Sequence, residues 1–181
     1  MKKYCISIIL LCIVLVILTS CGTVVEIRGL NNFSTVDSSV GLCSQLIPEG
    51  FLENYPYIRG DYFYKFEEEM IAYNVEDKAL MYLEYEEQEY FKAKEHAINS
   101  LSSSEEVPWV CNGYYFLKND KLSEWDFPRH FSHLVYNDEK QILIFFAFSV
   151  STELYDSVVE DSKDFESFLK KYFGEFYDFS D

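Results

Sequence analysis

The chain has 181 residues, 49% of them hydrophobic and 18% aromatic, a content that excludes a disordered protein and suits a single domain. Fifteen Lys and Arg stand against 31 Asp and Glu, giving a net charge of −16, and this deficit of basic residues excludes a nucleic-acid-binding face. The acids are unevenly placed: none precedes Glu26.

The acid-free start reads as a targeting signal. Met1-Lys2-Lys3 is a short positive beginning, and Tyr4 to Leu18 is an almost unbroken run of Ile, Leu, Val and Cys. The run is shorter than the ~20 residues of a membrane span. It ends in Leu18-Thr19-Ser20-Cys21, an aliphatic residue, two small residues and a cysteine. This sequence resembles the lipobox of bacterial lipoprotein precursors. The resemblance implies a diacylglyceryl group on the Cys21 sulfur, cleavage just before it, and a protein held on the outside of the cytoplasmic membrane in the cell envelope. Gly22, where an Asp would mark inner-membrane retention, implies outer-membrane sorting in a two-membrane bacterium. Two or three acyl chains anchor stably where one does not.

The expected organisation is therefore a signal peptide over residues 1–20, an acylated cysteine and flexible tether over 21–44, and a globular domain over 45–181. Cleavage removes Lys2 and Lys3 but no acid, so the processed chain is more negative than the −16 of the whole by two charges. Such a domain is repelled by anionic headgroups and is expected to stand off the membrane on its tether. Asn31-Asn32, Ser34-Thr35, Asp37-Ser38-Ser39 and Gly41 give the tether its polar, turn-forming character.

In the domain, aromatic and β-branched residues predict strands over 61–66, 70–75 and 79–85, with Glu76-Asp77-Lys78 as a turn. The period changes over Glu86 to Leu101, where Tyr90, Phe91, Ala97, Ile98 and Leu101 share a helical face. Cys111 to Lys118 reads as one strand. Phe131 to Tyr136 and Gln141 to Val150 read as a hairpin around Asn137–Lys140, and Ile142 to Phe148, apolar on both faces, predicts a central strand covered on both sides. A last helix is predicted from Phe165, Phe168, Leu169, Tyr172, Phe173 and Phe176, capped by Asp161 or Ser162. The fold class expected is α+β, one antiparallel sheet of five or six strands packed by two helices.

Candidate chemistry is sparse. After processing, Cys43 and Cys111 remain, either as one disulfide closing a loop of about 68 residues or as two buried thiols. His130 and His133 are weak metal-ligand candidates. A helix would put them on one face, but the strand pattern puts them on opposite faces, so no metal or cofactor is expected. The aromatics Trp109, Trp125, Tyr114 and Tyr115, placed beside Pro or in expected loops, are weak candidates for a ligand surface. No catalytic residue is assigned. The function expected is a membrane-anchored, non-catalytic interaction module for a cationic protein partner, without nucleic acid. The alternatives are an accessory lipoprotein that binds a small ligand or envelope component through its aromatics, and an envelope hydrolase using the 126–138 region.

Overall fold

A computed structural model describes residues 23–35, 47–69, 74–101, 108–118 and 129–174. Seven antiparallel strands form one sheet: β1 (Thr23–Arg28), β2 (Arg59–Glu69), β3 (Asn74–Glu84), β4 (Trp109–Cys111), β5 (Tyr114–Lys118), β6 (Arg129–Asn137) and β7 (Ile142–Val150). Their order is β1-β2-β3-β7-β6-β5-β4. A 3-10 turn (Leu30–Thr35) and helices α1 (Phe51–Asn54), α2 (Glu87–Asn99), α3 (Thr152–Asp161) and α4 (Phe165–Phe173) complete the described chain.

The sheet is the middle layer of three. All nine residues of β7 are buried, and β3 and β6 flank it, so the strand expected at the centre stands there. Its even and odd residues feed different cores, as the period of two requires. Leu143, Phe145 and Ala147 join Tyr62, Met81 and the inner side of α2 (Tyr90, Ala93, Ala97). Ile144, Phe146 and Phe148 join Phe63, Phe116 and the apolar stripe of α4 (Phe165, Phe168, Leu169, Phe173). Gly60 lets the β1 side close up. A Cβ there would lie 2.7 Å from Leu30 Cδ2 and 2.8 Å from Tyr57 Cε2.

Several expectations change. Thr23–Arg28, read as tether, pairs along its whole length with β2, from Thr23 opposite Glu68 to Arg28 opposite Phe63. Three expected strands over 61–85 are two long ones, and Glu76–Lys78 lies inside β3, where each residue is paired on both sides. The pattern hid this because Glu67, Glu68 and Glu76 are charged residues on a strand, near the sheet end. Residues 70–73, placed in a strand from sequence, lie outside the described residues. The single strand over 111–118 is a hairpin. Asn112 (φ 50°) and Gly113 (φ 81°) occupy a two-residue turn between Cys111 and Tyr114, and Asn-Gly is the pair that tolerates two positive φ values.

Asn137 closes the β6–β7 hairpin, its Oδ1 accepting from the backbone N–H groups of Glu139 (3.0 Å) and Lys140 (2.9 Å). Asp164 caps α4 in place of Asp161 or Ser162, accepting from Ser167 Oγ at 2.8 Å. Helix α3 has no counterpart in the sequence reading, and Phe176 lies outside the described residues. In α2, Phe91 is half exposed and Ala93 takes its place on the buried face.

Candidate functional site

Register alone brings three chemically capable residues into one row. Asp77 on β3 is opposite Ser149 on β7, and Ser149 is opposite His130 on β6. Each is two positions from a residue of the α2-side core or pairs with one that is, so all three point to that face. The next row inward is Tyr64, Ala79, Ala147 and Ser132, mostly small, which leaves the polar row poorly filled by apolar atoms. Tyr64, Ser132 and Ser149 are buried. Tyr64 Oη and Asp77 Oδ1 are buried beside each other, with the phenol placed to steady the carboxylate, and both ring nitrogens of His130 are buried with no hydrogen-bond partner among the described residues.

Burial sets the protonation of this row. It raises the Asp77 carboxyl to about 7, an effect that the neighbouring Tyr64 hydroxyl only partly offsets. Burial, reinforced by the Asp77 charge, pushes the Tyr64 phenol up. Burial also lowers His130, which favours its neutral form. The order of the row limits its chemistry. A hydroxyl relay needs the imidazole between carboxylate and hydroxyl. Here Ser149 stands between Asp77 and His130, so the carboxylate cannot orient the ring. The row is a buried polar strip, not an Asp-His-Ser relay. Nothing in the sequence brings these positions together, because the row exists only once strand register is known.

The aromatic candidates separate. Trp109, 40% exposed, leans on Phe116 with ring centroids 4.5 Å apart on the α4 face. Tyr114 is fully buried on that same face, 5.0 Å from Phe165, so it is a core residue and not part of a ligand surface. Tyr115 points to the α2 face and stacks on Tyr136 at 4.9 Å with ring planes 7° apart. Trp125 lies outside the described residues. The four therefore make no common patch.

Beside Tyr136, Lys94 Nζ sits 5.1–5.2 Å from the rings of Tyr90, Phe91 and Tyr136. It donates to Asp138 Oδ1 at 2.6 Å, and Tyr90 Oη donates to the same oxygen at 2.6 Å. Burial opposes ionisation of Asp138, but these two bonds outweigh it and hold the carboxyl below its ordinary value. The pair ties α2 to the β6–β7 turn. Asp138→Ala should destabilise the fold by about 1–3 kcal/mol at pH 7, because it strips partners from a buried tyrosine and a half-buried lysine. The depressed pKa makes this contribution present above pH ~4 and lost below it. Urea midpoints at pH 7 and pH 3 that show the same deficit would contradict the assignment.

The histidines point to opposite faces, as a strand requires. His133 lies on the α4 face, stacked 5.5 Å from Phe146, and His130 on the other. No group of three potential metal ligands occurs among the described residues. Cys111 is a buried free thiol whose Sγ donates to the Lys163 carbonyl oxygen. Its disulfide candidate Cys43 and the acylation candidate Cys21 both lie outside the described residues.

Sequence reasoning missed the outer surface of α3. The helix carries Glu153, Asp156, Glu160 and Asp161 and no Lys or Arg. Leu154 (39%) and Val159 (36%) are exposed among them, while Val158 faces the core. Lys163 pairs with Glu160, and Lys171 and Tyr172 both donate to Asp161 at 2.6 Å, holding that carboxyl below its ordinary value. Glu153 and Asp156, at the start of the helix, have no such cation beside them among the described residues. Compared with family models, with curated proteins and with solved structures, the chain matches none of them.

Proposed function

We propose that the protein is a lipid-anchored binding module of the bacterial cell envelope, displayed outside the cytoplasmic membrane, and that it engages a cationic protein partner without catalysis. The observation that carries this reading is the α3 surface. It combines acids without bases over ten residues with two exposed aliphatic side chains. A partner with basic residues around an apolar contact complements both features, and the charge of the whole chain steers its approach. The test measures binding of the processed chain to a panel of basic and size-matched acidic secreted polypeptides. Basic partners should bind at least tenfold more tightly at 50 mM than at 300 mM salt, and Glu153→Lys/Asp156→Lys should remove most of that preference. Equal binding of the acidic panel, or no binding at low salt, sinks the proposal.

A second reading, an accessory lipoprotein that binds a small ligand, has one observation in its favour. A cleft of about 370 Å³ opens between the 3-10 turn and α1, lined in part by Leu30, Phe33, Phe51 and Tyr57. A stoichiometric small molecule that co-purifies with the protein and is lost in Tyr57→Ala would move the assignment there.

A further inference from the structure

The start of β1 fixes how the domain meets the membrane. We propose that the end of the sheet bearing Thr23 faces the lipid surface at close range, in one preferred orientation. The inference rests on acylation at Cys21, which belongs to the function proposed above.

Only Gly22 separates Cys21 from Thr23. Two residues of extended chain span at most ~7 Å. Thr23 is already in the sheet, opposite Glu68, so the expected tether has no length over which the domain could swing away. The chain from Gly29 onward, polar as it is, follows β1 and adds nothing to that reach. The antiparallel register then says which end is near. Thr23, Glu68, Glu76 and Val150 share it, whereas Glu84, Asn137 and Ile142 mark the other end. The nine residues of β7 put about 30 Å between the two ends. The polar row of Asp77, Ser149 and His130 lies at the near end.

Charge decides the kind of lipid surface. Glu67, Glu68 and Glu76 gather at the near end, and each is at least partly exposed. Lys65 and Lys78 pair with Glu67 and Glu76 at 2.5 Å and neutralise two of them. Arg129 stands at this end opposite Val150, but Glu68 and, just beyond Val150, Glu153 and Asp156 leave the near end with more acids than bases, so an anionic surface within about a Debye length repels it. The surface that fits is therefore zwitterionic. The four residues that join Glu69 to Asn74 in the sequence, Met-Ile-Ala-Tyr, carry no charge that opposes this.

The experiment uses the acylated full-length protein in phosphatidylcholine vesicles containing a nitroxide-headgroup lipid. A fluorophore is placed at Glu68→Cys or, separately, at Glu139→Cys, each in a Cys43→Ser background with Cys111 buried. Quenching should be at least threefold stronger at 68 than at 139. A flexible Gly/Ser insert of three or four Gly-Gly-Ser units between Gly22 and Thr23 should bring the two to within a factor of about 1.5. With the near-end fluorophore moved to the exposed Val24→Cys, which keeps Glu68, replacing part of the phosphatidylcholine with anionic phosphatidylglycerol should narrow the difference. Equal quenching at both positions in the parent, or stronger quenching at 139, overturns the orientation while leaving the anchor intact. Acylation is read separately, from the mass of the N-terminal peptide and the loss of vesicle binding in Cys21→Ser. An unmodified Cys21 overturns both the orientation and the anchored function.

Discussion

Phe168→Ala should cost about 3–5 kcal/mol, a large share of the roughly 5–15 kcal/mol that holds a domain folded, and lower the urea midpoint accordingly. The ring is fully buried at the middle of the α4 stripe. It lies 5.6 Å from Phe146, 5.5 Å from Phe148, 5.9 Å from Phe165 and 5.0 Å from Tyr172, so its removal opens a cavity where β7 and α4 interlock. Neighbouring rings are too rigid to collapse into that space, which places the cost toward the upper part of the range. Ile58→Ala, at a position 59% exposed, is the matched control and should change stability by less than about 1 kcal/mol. Urea unfolding of the two variants decides the matter. Similar midpoints would mean that α4 is not part of the cooperative core.

The second large effect depends on pH. Asp77 holds its proton up to about pH 7 in the folded chain and releases it near 3.8 when unfolded. Between those values the folded state binds a proton that the unfolded state lacks. Stability from this group is therefore present in full below pH ~4, falls as pH rises to about 7, and is level above that. A shift of about three units corresponds to about 4 kcal/mol. Asp77→Asn keeps the shape and removes the titration, so the variant should exceed the parent by up to about 4 kcal/mol at pH 8 and match it within about 1 kcal/mol at pH 4. His130 works in the opposite sense. Its lowered pKa makes the fold gain stability as pH rises toward 6.5. Subtracting the Asp77→Asn profile from that of the parent isolates the carboxyl. A variant no more stable than the parent at pH 8 would show that the carboxylate is solvated or paired in solution.

The parts of the fold legible in the sequence are those where periodicity and burial agree. The β7 run is apolar at every position but Ser149 because helices cover both sides of it, and α4 repeats Phe and Leu at helical spacing because one face is fully buried. The illegible parts are those where the two disagree. Helix α3 was legible in principle, because Leu154, Tyr155, Val158 and Val159 recur at helical spacing, but the stripe is short and only Val158 is fully buried. Strand β1 is an edge with Val24 and Val25 exposed and looks like linker. The charged end of the β2–β3 pair, Glu76–Lys78, reads as a turn, although Lys78 is buried. The turn at Asn112-Gly113 was legible in principle from the dipeptide itself. The polar row was out of reach, since Asp77, His130 and Ser149 become neighbours only through register.

The seam between β3 and β7 sets a clock on folding. It joins residues 76–84 to residues 142–150 and is the one place where the N-terminal strands β1–β3 meet the C-terminal strands β4–β7 in the sheet. Hairpins within each group can close in microseconds, but the seam must wait until the whole chain between Glu84 and Ile142 has closed as a loop. Until then one edge of β3 is unpaired, with Leu80, Met81 and Leu83 along it. When β7 does arrive, it is nine residues with no charge of its own to deter self-pairing. Productive folding is a race between that strand finding β3 and finding another copy of itself. Chain concentration during refolding, more than temperature or salt, should govern the yield of native protein.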